Sequence, residues 1–150
     1  MAFAIKSTLQ TIESYLKASG YFQKTMVGEP KSPPDGKLSA AVYMSRVGVA
    51  ELTLGTTIES HVVMIRLYKN MLAEKGEDIE FQMAEVVQKV GSDLLGDYDL
   101  GGTVRTVDAA GQYGTAFGAE WGYVDLGGVM FRVADITVPL TVDDSATLSA

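Results

Sequence analysis

Apolar residues recur with two different periods along the chain, and the changes of period divide it into elements. Ile5, Leu9, Ile12 and Leu16 stand at spacings of four, three and four, opposite Lys6, Gln10, Glu13 and Lys17. That spacing puts them on one face of a helix, with Gly20 placed to end it. Ile79, Met83, Val86, Val87, Val90 and Leu94 form a second such stripe. It predicts a longer helix opened at Lys75–Asp78, with Asp78 as N-cap and a stop near Gly96.

Between and after these helices the pattern is that of strands. Tyr21–Val27 reads as a short strand, Leu38–Arg46 and Val49–Leu54 as two strands joined at Gly48, and Thr57–Lys69 as a longer one. Within the last, His61–Tyr68 is apolar on both alternations, which suits a strand covered on both faces. Gly101–Val107, Ala116–Val124 and Val129–Val138 follow the second helix, the last two forming a hairpin closed at Asp125–Gly128. The expected order is α-β-β-β-β-α-β-β-β, with three or four strands in the first run. Strands in runs separated by helices predict an α+β fold, a mostly antiparallel sheet with two helices packed on it. Residues 1–150 read as a single domain. Three of the four prolines fall in 29–37, which is expected to be an exposed, flexible loop, and the acidic tail near 142–150 is expected to fray.

Composition narrows the function. A chain of 150 residues, 47% hydrophobic and 21% charged, can build a core without covalent staples. Its formal charge of −7 and its scattered Lys and Arg residues offer no stripe to hold nucleic-acid phosphates. There are no cysteines, so disulfides, thiolate metal sites and cysteine nucleophiles are excluded. Met1–Lys6 lacks the pattern of a signal peptide and no apolar run reaches the roughly 20 residues of a membrane span, so a cytoplasmic protein without a membrane partner is expected.

Candidate chemistry is sparse. The one histidine, His61, lies mid-strand with Glu59 two residues away, as in a partly buried structural pair. Neither a Gly-x-Ser-x-Gly elbow nor a Gly-x-x-x-x-Gly-Lys-Ser/Thr loop occurs. Asp97, Asp99, Gly102 and Asp108 match positions 1, 3, 6 and 12 of a calcium loop. However, position 5 is Gly101, position 12 is not Glu, and no helix pattern follows; a plain loop and strand explains the same residues. We therefore assign no catalytic, cofactor-binding or metal-binding residue and expect no enzyme. Gly111, Gly114, Gly118 and Gly122 run beside a row of Phe117, Ala119, Trp121 and Tyr123 on one alternation. Glycine in a strand marks a bulge or close backbone approach, and the aromatic row is either core or an interface anchor.

Three stretches taken together carry a resemblance. They are the opening helix Ala4–Leu16 with its following strand and Pro-rich loop, the strand Ser60–Met71 leading into the second helix, and the final strand Phe131–Leu140 with its acidic tail. This order over nearly the whole chain resembles the tail terminator proteins of long-tailed bacteriophages. The resemblance implies a virion structural protein at the head-proximal end of the tail, assembled in the host cytoplasm. It implies a ring, hexameric in that family, that caps the tail tube, stops its polymerisation and joins the neck or head-completion protein. DNA would pass through without specific binding. The interface candidates are Pro30, Pro33, Pro34 and Asp35 in the loop, Trp121 and Tyr123 in the aromatic row, and Asp143 and Asp144 in the tail. Exposed acids among Glu29, Asp35, Asp143 and Asp144 are expected at the lumen, where they would repel phosphates, and the stiff loop is expected to dock on the tube. The alternatives are another head–tail joining or tail tube subunit, or a small ligand-binding domain with Met44, Met64, Trp121 and Tyr123 around a pocket.

Overall fold

The computed structural model describes residues 5–31, 34, 37–52, 57–97, 99, 100 and 104–144. The first apolar stripe forms α1 (Ile5–Ser19), which buries Thr8, Ile12 and Leu16 and ends at Gly20 with φ +77. β1 (Lys24–Val27) is shorter than the pattern suggested. β2 (Ser39–Leu52) and β3 (Thr57–Asn70) follow as two fourteen-residue strands. The segments expected as separate strands around Gly48 are thus one strand. What reads in sequence as a break is a pair of bulges, where register shifts between Met44 and Arg46 and again between Val49 and Glu51. The α+β class and the helix–strands–helix–strands order are as expected, with three strands in the first run.

The second stripe forms α2 (Gly76–Gly96), burying Ile79, Met83, Val86, Val90 and Leu94. Its N-cap is Lys75, without a side-chain cap, and Asp78 lies inside the first turn. The segment expected at Gly101–Val107 pairs only as β4 (Thr106–Val107), and residues 101–103 lie outside the described ones. β5 (Gly118–Leu126) and β6 (Val129–Asp144) form the expected hairpin. Its two-residue turn places Gly127 at φ 60 and Gly128 at φ 83, the positive values a type I′ turn requires at both positions. Asp125 accepts the Gly128 N–H at 2.9 Å.

The sheet runs β1-β2-β3-β6-β4, with β5 also on β6; every pairing is antiparallel except β1 with β2. Both helices pack on one face. There Ile12, Leu16, Ile79, Met83 and Leu94 meet Ala40, Val42, Val63, Ile65, Leu67, Ala134, Ile136 and Val138 in the main core. The opposite, helix-free face holds a smaller cluster of Ala41, Tyr68, Phe131 and Val133, with the Tyr68 and Phe131 rings edge to face. β3 and β6 are therefore apolar on both alternations, as the His61–Tyr68 pattern required. β6 runs on to Asp144 with Val142 buried, so residues 142–144 belong to the sheet and not to a frayed tail. Among the described residues no helix is long and apolar enough to cross a membrane.

Candidate assembly interface

β1 covers only the first part of β2, from Ser39 to Val42. From Tyr43 to Leu52, among the described residues, β2 is bonded to β3 alone. β5 is likewise bonded to β6 alone, so its outer edge is open. Both edges carry apolar side chains in water: Val47 is 56% exposed, Val49 64%, Leu52 61%, Trp121 38% and Tyr123 60%. Open strand edges with such side chains invite pairing with another chain.

Tyr123 is held in place from its own sheet. The Arg132 guanidinium lies 4.5 Å from its ring centroid and forks onto Glu80 of α2 through Nε at 2.5 Å and NH2 at 3.2 Å. Its NH1 also donates to the Gly122 carbonyl at 3.2 Å. The hydrogen bonds to Glu80 hold Arg132 above its ordinary pKa. Of the aromatic row, Phe117 and Ala119 pack against the main core, and Trp121 and Tyr123 stand in the open. Packed and exposed positions thus divide the row between them.

The helix-free face carries a polar cluster. Arg66 donates to both oxygens of Asp135, from Nε at 2.6 Å and NH2 at 3.0 Å, and from NH1 to Glu29 at 3.1 Å. Burial pushes the neighbouring Tyr43 hydroxyl up to about 12, against the lowering influence of Arg66. Burial likewise raises Tyr68. At the far end of the same face Arg105 donates to Asp143 at 2.9 Å.

The other expected interface residues are scattered. Pro30 is half-buried and Pro34 is buried, which corrects the expectation of a wholly exposed loop; Pro33 and Asp35 lie outside the described residues. Asp143 is exposed and Asp144 closes β6 opposite Thr57 of β3. The structure therefore brings Trp121 and Tyr123 together, and separately Asp143 and Asp144, which end the sheet at the level of β2's open half. Sequence reasoning missed Val47, Val49 and Leu52. Val49 and Leu52 were legible as strand and Val47 fell in the expected break at Gly48, but edge status depends on how far β1 reaches.

The remaining candidates, among the described residues, are held in local contacts. His61 is buried with Nε2 3.1 Å from a Glu59 oxygen, the structural pair expected. Asp108 accepts the backbone N–H groups of Gln112 and Tyr113 at 2.9 and 3.1 Å and so closes a turn. Asp97 accepts the Tyr15 hydroxyl, tying the end of α2 to α1. Gly102 lies outside the described residues. A pocket of about 390 Å³ opens between Gly20–Gln23, Leu38, Lys69, Glu74 and Gln82. None of Met44, Met64, Trp121 and Tyr123 lines it, and Lys69 is already 3.7 Å from Glu74. Neither a protein-family model nor a curated protein sequence matches this chain.

Proposed function

We propose that this chain is a structural subunit that closes with copies of itself into a ring, and that the ring serves as a tail terminator. In that role it caps a phage tail tube and offers its other side to the neck of the capsid. The observation that carries the reading is the pair of open sheet edges on opposite sides of one protomer. The two edges differ in sequence, so a contact between them is head-to-tail, and a head-to-tail contact that repeats by rotation closes a ring.

The distribution of charge favours the same reading. With both helices on one face, the helix-free face is the side left for a lumen. Asp135 and Glu120 stand opposite each other in register on that face, Glu29 shares Arg66 with Asp135, and Asp143 lies at the far end on Arg105, so four acids stand against two arginines. Acids there repel the phosphates of a passing DNA and leave it mobile.

Native mass spectrometry across a concentration series tests the ring, and addition to polymerising tail tubes tests the cap. A species of six copies of 16.0 kDa, about 96 kDa, that stops tube growth at a uniform length is the expected result. Filaments of unlimited length from this chain alone would point instead to a tube subunit. Stabilisation by a small metabolite without any assembly would point to a ligand-binding domain.

A further inference from the structure

Resting on the ring reading, we propose that the open half of β2 in one copy pairs antiparallel with β5 of the next copy, so that neighbouring sheets become one continuous sheet. Direction comes first. β2 is antiparallel to β3, β3 to β6 and β6 to β5, so β2 and β5 run in opposite senses. Rotation about an axis along the strands preserves those senses. β5 of one copy therefore meets β2 of its neighbour antiparallel, the arrangement of every pairing here except β1 with β2.

Length and facing agree. The open stretch Tyr43–Leu52 is one residue longer than the nine of β5. The bulge at Ser45 sets Val47 and Val49 in register with His61 and Glu59 of β3, and the second bulge, at Ala50, sets Leu52 in register with Thr57. Those positions continue the alternation of Val63, Ile65 and Leu67 in the main core, which puts all three apolar residues on the helix-bearing face. Trp121 and Tyr123 stand in register with Ala134 and Arg132 of β6, on that same face. With Gly48 set opposite Gly122, Val47 meets Tyr123 and Val49 meets Trp121, the β-branched–aromatic pairing that sheets favour.

The heights of the two edges also fit a closed ring. β5 lies level with Val129–Thr137 of β6, whereas the open half of β2 lies level with Val138–Asp144. The centres differ by about eight residues, roughly 26 Å at 3.3 Å per residue. Joining them makes the strands climb from copy to copy, and that tilt is what closing a sheet into a barrel demands. The other edges fit less well. β1 has four residues, and its Thr25 hydroxyl is engaged by Glu13 of α1. Two β5 edges facing each other would bring Glu120 and Asp125 of both copies into one seam and leave β2 open.

The absence of cysteine makes the test direct. Val47→Cys/Tyr123→Cys, with Val49→Cys/Trp121→Cys as a second pair, is oxidised in the full chain and run without reductant. The expected result is a ladder of linked species that ends at the ring size, with neither single variant linking. Val49→Lys, at an exposed position, should raise the concentration for half-assembly at least tenfold while leaving the thermal melt of the protomer unchanged. Rings by native mass without linking of either pair, and with Val49→Lys assembling as before, would overturn the edge pairing and leave the ring reading standing. Linked dimers from a single-cysteine variant would overturn it in favour of a two-fold contact. Linking into unbounded chains would keep the edge pairing and remove the closed ring. No assembly and no linking at any concentration would overturn both.

Discussion

Arg66 shows how much one residue can organise on a sheet face. Its guanidinium satisfies both oxygens of Asp135 across the β3–β6 ladder and reaches Glu29 beyond β1. Two parallel charge-assisted bonds at a largely shielded site outweigh a typical surface ion pair. Arg66→Ala should therefore lower the unfolding free energy by about 1–3 kcal/mol in urea titration, and Arg66→Lys should recover only part of it. Beside it, Tyr43 supplies a pH signature. Its folded value near 12 lies above the ordinary 10.0, because burial favours the neutral hydroxyl. A raised value contributes stability in full below the unfolded value, and that contribution drains away as pH climbs through the folded one. Stability should fall between about pH 10 and pH 12, and Tyr43→Phe should flatten that fall in denaturant titrations at stepped pH. Tyrosine absorbance should show one group titrating last in the wild type and absent in the variant. None of this cluster was visible in sequence. Glu29, Tyr43, Arg66 and Asp135 are distant along the chain and meet only because β2, β3 and β6 lie side by side.

At the scale of elements, the helices were the most legible because their stripes are long, and a long run of matched spacing cannot be produced by a strand. Their ends were less so. Asp78 looks like an N-cap by residue type, yet the helix begins earlier, and Lys75 at the cap position makes no side-chain bond. Lys75→Asp should therefore stabilise the protein by about 1 kcal/mol, by capping an open N–H and placing an acid at the positive end of the helix. A thermal melt that moves down instead would remove this account of the helix start. The hairpin was legible from Asp125-Leu-Gly-Gly, since few residues tolerate both positive φ values. The loop before β5 was not, because its glycines suggested several roles at once. Gly111 sits at φ +74, and a Cβ there would approach the Ala116 backbone nitrogen to 2.8 Å. Gly111→Ala should cost about 2 kcal/mol or more, through strain and collision together. Gly114, at φ +105 with open space around it, should suffer the strain alone and cost less when replaced by Ala. Equal losses at the two positions, compared by urea denaturation, would show that the contact with Ala116 is unimportant. The two bulges in β2 escaped sequence reading for a related reason. An extra residue inverts the alternation, and a broken alternation reads as the end of a strand.

For the whole molecule, the question is which force would hold a ring of such subunits against its own charge. Each copy carries −7, so six together carry about −42, and bringing them into contact is opposed by repulsion at low ionic strength. The proposed seam has little electrostatic attraction to offset this. Val47, Val49, Trp121 and Tyr123 contribute apolar area and backbone pairing, and the charged side chains along the two edges are one base, Arg46, against three acids, Glu51, Glu120 and Asp125. Burial of that kind is insensitive to screening, whereas the repulsion weakens as the Debye length shrinks from about 30 Å at 0.01 M salt to about 8 Å at 0.15 M. Raising sodium chloride over that range should therefore strengthen assembly, moving the half-assembly concentration down several-fold in sedimentation velocity. Sodium sulfate, which also favours burial, should move it further. The opposite trend, rings that come apart as salt rises, would mean that ion pairs hold the copies together. Attention would then shift from the apolar side chains of the edges to Arg46 on the β2 edge, to Arg105 and to the acids around them. A seam built from strand edges predicts salt-strengthened rings, and a seam built from charges predicts the reverse, so one titration on the unmodified protein separates them.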